Sequence, residues 1–212
     1  MKVLILGAGA VGGYVGARLV ATGADVVFLV RGRRLTEVAD RGLTIESPLG
    51  NFSGPVRALG AVPDGFDPEV VILTCKSPAL GEAMRAIAPG VKPGTRILPL
   101  LNGLAHLDVL ARTFPDAPIL GGLVHGALAL QEDGVIAHLT PFFSMIFGAV
   151  SRTEDPVAGE LARALAAVHV DARESPDIHQ DMWNKFVFLT TLAGMTCLMR
   201  ASIGTIVAAD GG

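Results

Sequence analysis

The chain has 212 residues, enough for one large domain or for one domain and part of a second; half of them are apolar and 17% are charged. Its net charge of −3 leaves no basic footprint for a nucleic acid, and no run of about 18 apolar residues marks a transmembrane helix. Cys75 and Cys197 lie far apart in apolar surroundings at no metal-ligand spacing, so they are expected to be reduced, buried thiols of a cytosolic protein.

Val3 to Leu6 is an unbroken apolar run of strand length. Gly7, Gly9 and Gly12 follow at the spacing G-x-G-x-x-G, and a helical pattern runs from Val11 to Thr22, closed by Gly23. A strand, a tight turn and a helix in that order can seat a pyrophosphate. Gly7 permits the turn, Gly9 lets backbone N–H groups approach the anion, and Gly12 lets the helix pack close to the strand, with the anion on the helix N-terminus. Gly7, Ala8, Gly9, Ala10, Val11 and Gly12 therefore form the expected cofactor loop.

Asp25 to Val30 reads as the second strand and is followed at once by Arg31, Gly32, Arg33 and Arg34. At this strand end an acidic residue bonds the 2′-hydroxyl of NAD, whereas an arginine accommodates the 2′-phosphate of NADP. No acid is present, so Arg31, nearest the strand, points to NADP(H); for Arg33 and Arg34 a solvated basic loop is the other reading. Leu35 to Asp40 reads as a short helix, and Gly42 to Val62 as a hairpin around a Pro48–Gly50 turn.

Glu69 to Cys75 is a buried strand ending in Lys76-Ser77-Pro78, before a helix over Ala79 to Ala88. Lys76 either faces the crevice where parallel sheets bind ligands or is an ordinary surface lysine. Thr95 to Leu101 is a strand ending in Asn102-Gly103, with a helix over Leu104 to Thr113. Asn102 is placed like Lys76, although Asn-Gly is also good turn chemistry. Ile119 to Leu130 and Val135 to His138 read as antiparallel strands around Glu132-Asp133-Gly134, Ser144 to Val150 as a strand, and Asp155 to Val168 as a helix. The five histidines do not cluster or show metal-ligand spacing, so structural roles and no metal are expected.

Asp177 is an N-cap with Gln180 three residues on, and Ile178 to Met199 reads as one long helix. The boundary of the first domain falls just before it, and the remaining chain is too short to close a second. Lys185 shares a side of this helix with Ile178, Met182, Leu189, Leu192 and Thr196, and only Asp181 offers a charge there. A partly desolvated lysine can act as a tuned acid and polarise a carbonyl. The competing reading is a lysine that snorkels beside Asp181.

Gly7-Ala8-Gly9-Ala10-Val11-Gly12, Arg31, Lys76, Asn102-Gly103, the Val124-His125-Gly126-Ala127 to His138 segment and Trp183-Asn184-Lys185-Phe186 resemble, in that order and spacing, the ketopantoate reductase (2-dehydropantoate 2-reductase) family. The resemblance runs over essentially the whole chain. It implies an α/β, Rossmann-type NADP-binding domain over residues 1–175 and the start of an all-helical substrate and dimerisation domain over 176–212, incomplete here, with the active site between them. It implies NADPH-dependent reduction of a small 2-oxo acid to a 2-hydroxy acid, in the family the ketopantoate-to-pantoate step of pantothenate and coenzyme A synthesis. Carried over by position, Gly7 to Gly12, Arg31, Lys76, Asn102 and Ala127 hold NADP(H), and Lys185 is the general acid. A cytoplasmic protein and a homodimer through the helical domain are also expected. The chain departs from the family where asparagines grip substrate: Leu189 and Ala193 stand one and two turns after the lysine, and Ile203 stands before Gly204. Three alternatives stay open: a paralogous reductase of another 2-oxo acid, which these departures favour, a non-catalytic NADP-binding module, and a dehydrogenase that oxidises a hydroxy acid or an amino-acid derivative on the same cofactor domain.

Overall fold

The structure is a computed structural model and describes residues 1–210. In chain order the first half runs β1 (Lys2–Leu6), α1 (Ala10–Ala21), β2 (Asp25–Leu29), α2 (Gly32–Arg41), β3 (Leu43–Glu46), β4 (Phe52–Gly54), β5 (Arg57–Leu59), β6 (Val70–Leu73), α3 (Leu80–Ile87), β7 (Arg96–Pro99) and α4 (Ala105–Thr113). The second half runs β8 (Leu120–His125), β9 (Leu128–Leu130), β10 (Ile136–His138), β11 (Ser144–Ala149), α5 (Pro156–Ala166), β12 (Asp171–Glu174), α6 (Ile178–Met199) and α7 (Ile203–Val207).

The centre is a five-stranded parallel sheet in the order β5-β2-β1-β6-β7. Both faces are covered, and this explains the continuous apolar runs of its strands. Val3 and Ile5 of β1 pack with Tyr14, Val15 and Leu19 of α1 and Leu161 and Leu165 of α5, whereas Leu4 and Leu6 pack with Leu80, Ala83 and Ile87 of α3 and Leu110 of α4. The register sets Leu6 beside Leu29 and Leu73, and Leu73 beside Pro99. The C-terminal ends of four strands therefore share one edge, and the loops leaving that edge carry the expected cofactor residues.

Two smaller sheets flank the centre, with orders β4-β3-β10-β9 and β12-β11-β8. The expected hairpin is present as β3 and β4, but its last segment, β5, leaves it to pair in parallel with β2. The stretch from Ile119 to Leu130 is two strands. Gly126, at φ +146°, breaks it where a Cβ would press on Phe143 and the Phe142 carbonyl, and sends β8 to β11 and β9 to β10. β12 had no apolar signature to reveal it, since Asp-Ala-Arg-Glu is a short polar edge strand parallel to β11. Of the two cysteines, Cys75 is half-buried and Cys197 exposed, because only the first turns of α6 pack against the sheets.

Candidate functional site

The glycine loop begins with Gly7 at φ +102°, its N–H donating to Leu29 O (3.0 Å). Thr74 closes it from the neighbouring strand, its hydroxyl donating to Leu6 O (2.8 Å). A Cβ on Gly12 would run into the Gly7 carbonyl and Thr74 Oγ1, so this glycine is required by packing. Gly9 is different. It sits at φ −79° as the N-cap of α1, and a Cβ there would meet nothing within 4 Å. Nothing inside the protein asks for glycine at this position, and no side chain caps the α1 N-terminus. An open backbone face at the positive end of a helix fits a dinucleotide pyrophosphate.

Arg31, Lys76 and Asn102 follow β2, β6 and β7 at the shared sheet edge, whereas Ala127 lies between β8 and β9 of the smaller sheets. Arg31 is the N-cap of α2, and its Nη2 reaches Glu82 Oε2 of α3 (3.3 Å) with both side chains more than half exposed. Lys76, just past β6, is exposed and makes no ion pair among the described residues. Arg33 pairs with Glu37 on the surface. Arg34, in contrast, is no part of a solvated loop: its Nε donates to the carbonyl of Ala8 (2.9 Å) and its Nη1 to that of Gly134 (3.2 Å), bracing the glycine loop against the β9–β10 turn. Asn102, past β7, is exposed into the cleft described next. Ala127 has its N–H given to Thr140 Oγ1 (3.1 Å) and its carbonyl already accepting from the Leu139 N–H (2.8 Å), so its exposed methyl and a second carbonyl lone pair are what it has left to offer.

Helix α6 brings Lys185 to this edge. Asp177 caps the helix by accepting from the Gln180 N–H (3.3 Å), and Ile178 and Met182 bury its first turns against Leu123 of β8 and Ile146 of β11. Burying two such side chains contributes about 3–6 kcal/mol to holding the helix there. Lys185, one turn further, donates from Nζ to the Val124 carbonyl (2.8 Å). It does not snorkel to Asp181, whose carboxylate instead accepts from Ser175 Oγ (2.6 Å) and lies 3.7 Å from Arg173 Nη2. Burial holds the Lys185 ammonium below the usual lysine range.

A cleft of about 520 Å³ joins Val11, Asn102, Val124, His125, Lys185 and Leu189. Thus α1, the loop after β7, the end of β8 and α6 meet in one space, while Arg31 and Lys76 stand along the sheet edge outside it. His125 was expected to be structural, but it lines this cleft and a second one beside Asp181 and Asn184. Burial lowers its pKa, the Lys185 charge lowers it further, and Asp181 opposes them. Its position at a strand end before a glycine was the available sequence signal. Leu189 gives the cleft an apolar wall.

Residues 3–152 match the family described as ketopantoate reductase PanE/ApbA. Over 213 aligned residues the chain is 35% identical to an uncharacterized oxidoreductase, YkpB, of Bacillus subtilis (strain 168), covering 100% of this chain and 70% of that protein. Among solved structures, the 2-dehydropantoate 2-reductase of Geobacter metallireducens GS-15 superposes with a TM-score of 0.89 at 31% identity, covering 99% of this chain and 69% of that one. A D-mandelate dehydrogenase solved with NADH and anilino(oxo)acetate shares the fold, with a TM-score of 0.83 at 23% identity, covering 94% of this chain and 65% of that one. The chain thus spans roughly two thirds of these proteins. No helix among the described residues is long and apolar enough to cross a membrane. With the family match extending over most of the chain and the glycine loop, strand order and α6 lysine in place, the chain belongs to the ketopantoate reductase PanE/ApbA family of oxidoreductases.

Proposed function

We propose that the chain carries the cofactor site and the acid of an NADPH-dependent reductase that converts a small 2-oxo acid to its 2-hydroxy acid, ketopantoate to pantoate being the first substrate pair to test. The observation that carries this reading is Lys185 Nζ, half-buried and held by the Val124 carbonyl in the same cleft as Val11 of the glycine helix and Asn102. Bound NADPH would supply the hydride for the carbonyl carbon. The chain's own residues do the rest. The glycine loop and α1 N-terminus would hold the pyrophosphate and Arg31 the 2′-phosphate, and Lys76, Asn102 and Ala127 would complete the cofactor site. Lys185 delivers a proton to the substrate oxygen, and its depressed pKa makes that proton easier to release. The homodimer and the cytoplasmic setting implied by the resemblance belong to the same proposal.

A second substrate reading rests on Leu189. An apolar wall in the cleft suits a 2-oxo acid with a hydrophobic side chain better than the hydroxylated ketopantoate. Following NADPH absorbance over a panel of both kinds separates the two. In the same assay Lys185→Ala is expected to lower kcat by about 10²–10⁴ while changing NADPH affinity little. A variant with near wild-type kcat would remove the lysine from the reaction.

A further inference from the structure

A separate cavity of about 500 Å³ shares Asn102 with the cleft but contains neither Lys185 nor the glycine loop. It lies where the loops after β6 and β7 lead into α3 and α4, and Trp183 and Phe186 of α6, both partly exposed, flank it. One wall is apolar: Leu80, Val109 and the rings of Trp183 and Phe186, packed edge to face at 5.7 Å and 69°. The opposite end is polar and unsatisfied. No side chain caps the nine-residue helix α4 at Leu104, and the N–H groups of Ala105 and His106 find no acceptor among the described residues. His106 itself is only 6% exposed, and its Nε2 is buried without a hydrogen-bond partner. Burial pushes its pKa down and favours the neutral ring, which has one N–H to donate. Asp108, the acid of that first turn, is exposed and lies outside the lining.

A helix N-terminus with free N–H groups attracts an anion, and an unpartnered buried imidazole gains by meeting a ligand oxygen. The aromatic wall requires the rest of that ligand to be apolar. We propose that this cavity binds a small monocarboxylate with an aromatic body, its carboxylate on the α4 N-terminus and His106, and its ring between Leu80, Val109, Trp183 and Phe186. The site is distinct from the cofactor cleft and does not depend on the reaction assigned to it.

Trp183 is the single tryptophan of the chain and lines this cavity, so its fluorescence responds to a ligand bound there. Phenylacetate is the probe, and titration should give saturable quenching with a Kd on the order of millimolar. Phenylacetamide, of the same shape without the charge, should bind about tenfold more weakly or worse. His106→Phe should weaken phenylacetate about tenfold with its melting temperature kept; if that variant does not fold, His106→Asn serves instead. Saturating NADPH should leave phenylacetate affinity unchanged. Absence of saturable binding, equal affinity for the amide, unchanged affinity in the His106 variant, or competition by NADPH would each overturn the assignment.

Discussion

Replacing Gly9 and Gly12 separately by alanine should divide a ligand glycine from a packing glycine. At Gly9 the backbone is at φ −79°, ψ −163°, open to alanine, and the new Cβ meets nothing within 4 Å. The fold should lose only the difference between glycine and alanine at an N-cap, about 1 kcal/mol or less, hence about 4 °C or less in Tm for a chain of this size. The same methyl projects into the space assigned to the pyrophosphate. Displacing that group from two charge-assisted N–H bonds, at about 1.5–3 kcal/mol each, should raise the NADPH Kd by 100-fold or more. Gly12→Ala reverses the pattern. Its Cβ would run into the Gly7 carbonyl and Thr74 Oγ1, an overpacking cost of about 1–3 kcal/mol that should lower Tm by several degrees. NADPH fluorescence titration and thermal unfolding of the same two proteins provide both readouts. A Gly9→Ala protein that binds NADPH with wild-type affinity would refute the reasoning, because the open face would then not be the phosphate seat.

Arg31→Ala should weaken NADPH by about 1.5–3 kcal/mol and leave NADH almost unchanged, and titrating both nucleotides checks it. Glu82→Gln should act the other way: it frees Arg31 from an exposed pair of little intrinsic worth, so NADPH affinity should rise a few-fold, again with no change for NADH. Asp155 caps α5 through the Val157 and Ala158 N–H groups and pairs with Arg96 Nε at 3.0 Å while nearly buried; Asp155→Ala should cost about 2–4 kcal/mol in denaturant unfolding, and a loss under 1 kcal/mol would count against this pairing. His106 has a folded pKa below the ordinary 6.5, so between those two values the unfolded chain binds more protons. Stability should therefore fall as pH drops through about 6.5 toward the folded value, and His106→Gln should flatten that acid limb in melts taken across pH.

Much of this protein was written locally. The run Val3 to Leu6, the three glycines and the helix after them are consecutive, so apolar periodicity and glycine spacing were enough to place the strand, the turn and the helix. The Asp177 cap and the length of α6 were legible for the same reason, and so were the hairpin at Pro48–Gly50 and the strands ending at Lys76 and Asn102. Arg31 could be placed from the sequence, because its position depends only on the end of β2.

Other features depend on what lies next to a residue after folding. β12 is polar and became a strand only because β11 offered it an edge. The break at Gly126 follows from the approach of Phe142 and Phe143, more than a dozen residues away. Arg34 looks like a solvent-exposed basic residue until the turn at Gly134, a hundred positions on, closes over it. Helical spacing correctly placed Lys185 on a largely apolar face with Asp181 one turn away, but it could not choose the lysine's partner. Ser175 and Arg173 take the Asp181 carboxylate, and the Val124 carbonyl, 61 positions earlier, takes the ammonium. Chain-local geometry determines which elements form and which residues end them, whereas the partners of a buried polar group are set by long-range packing, because only folding brings the competing donors and acceptors within hydrogen-bond reach.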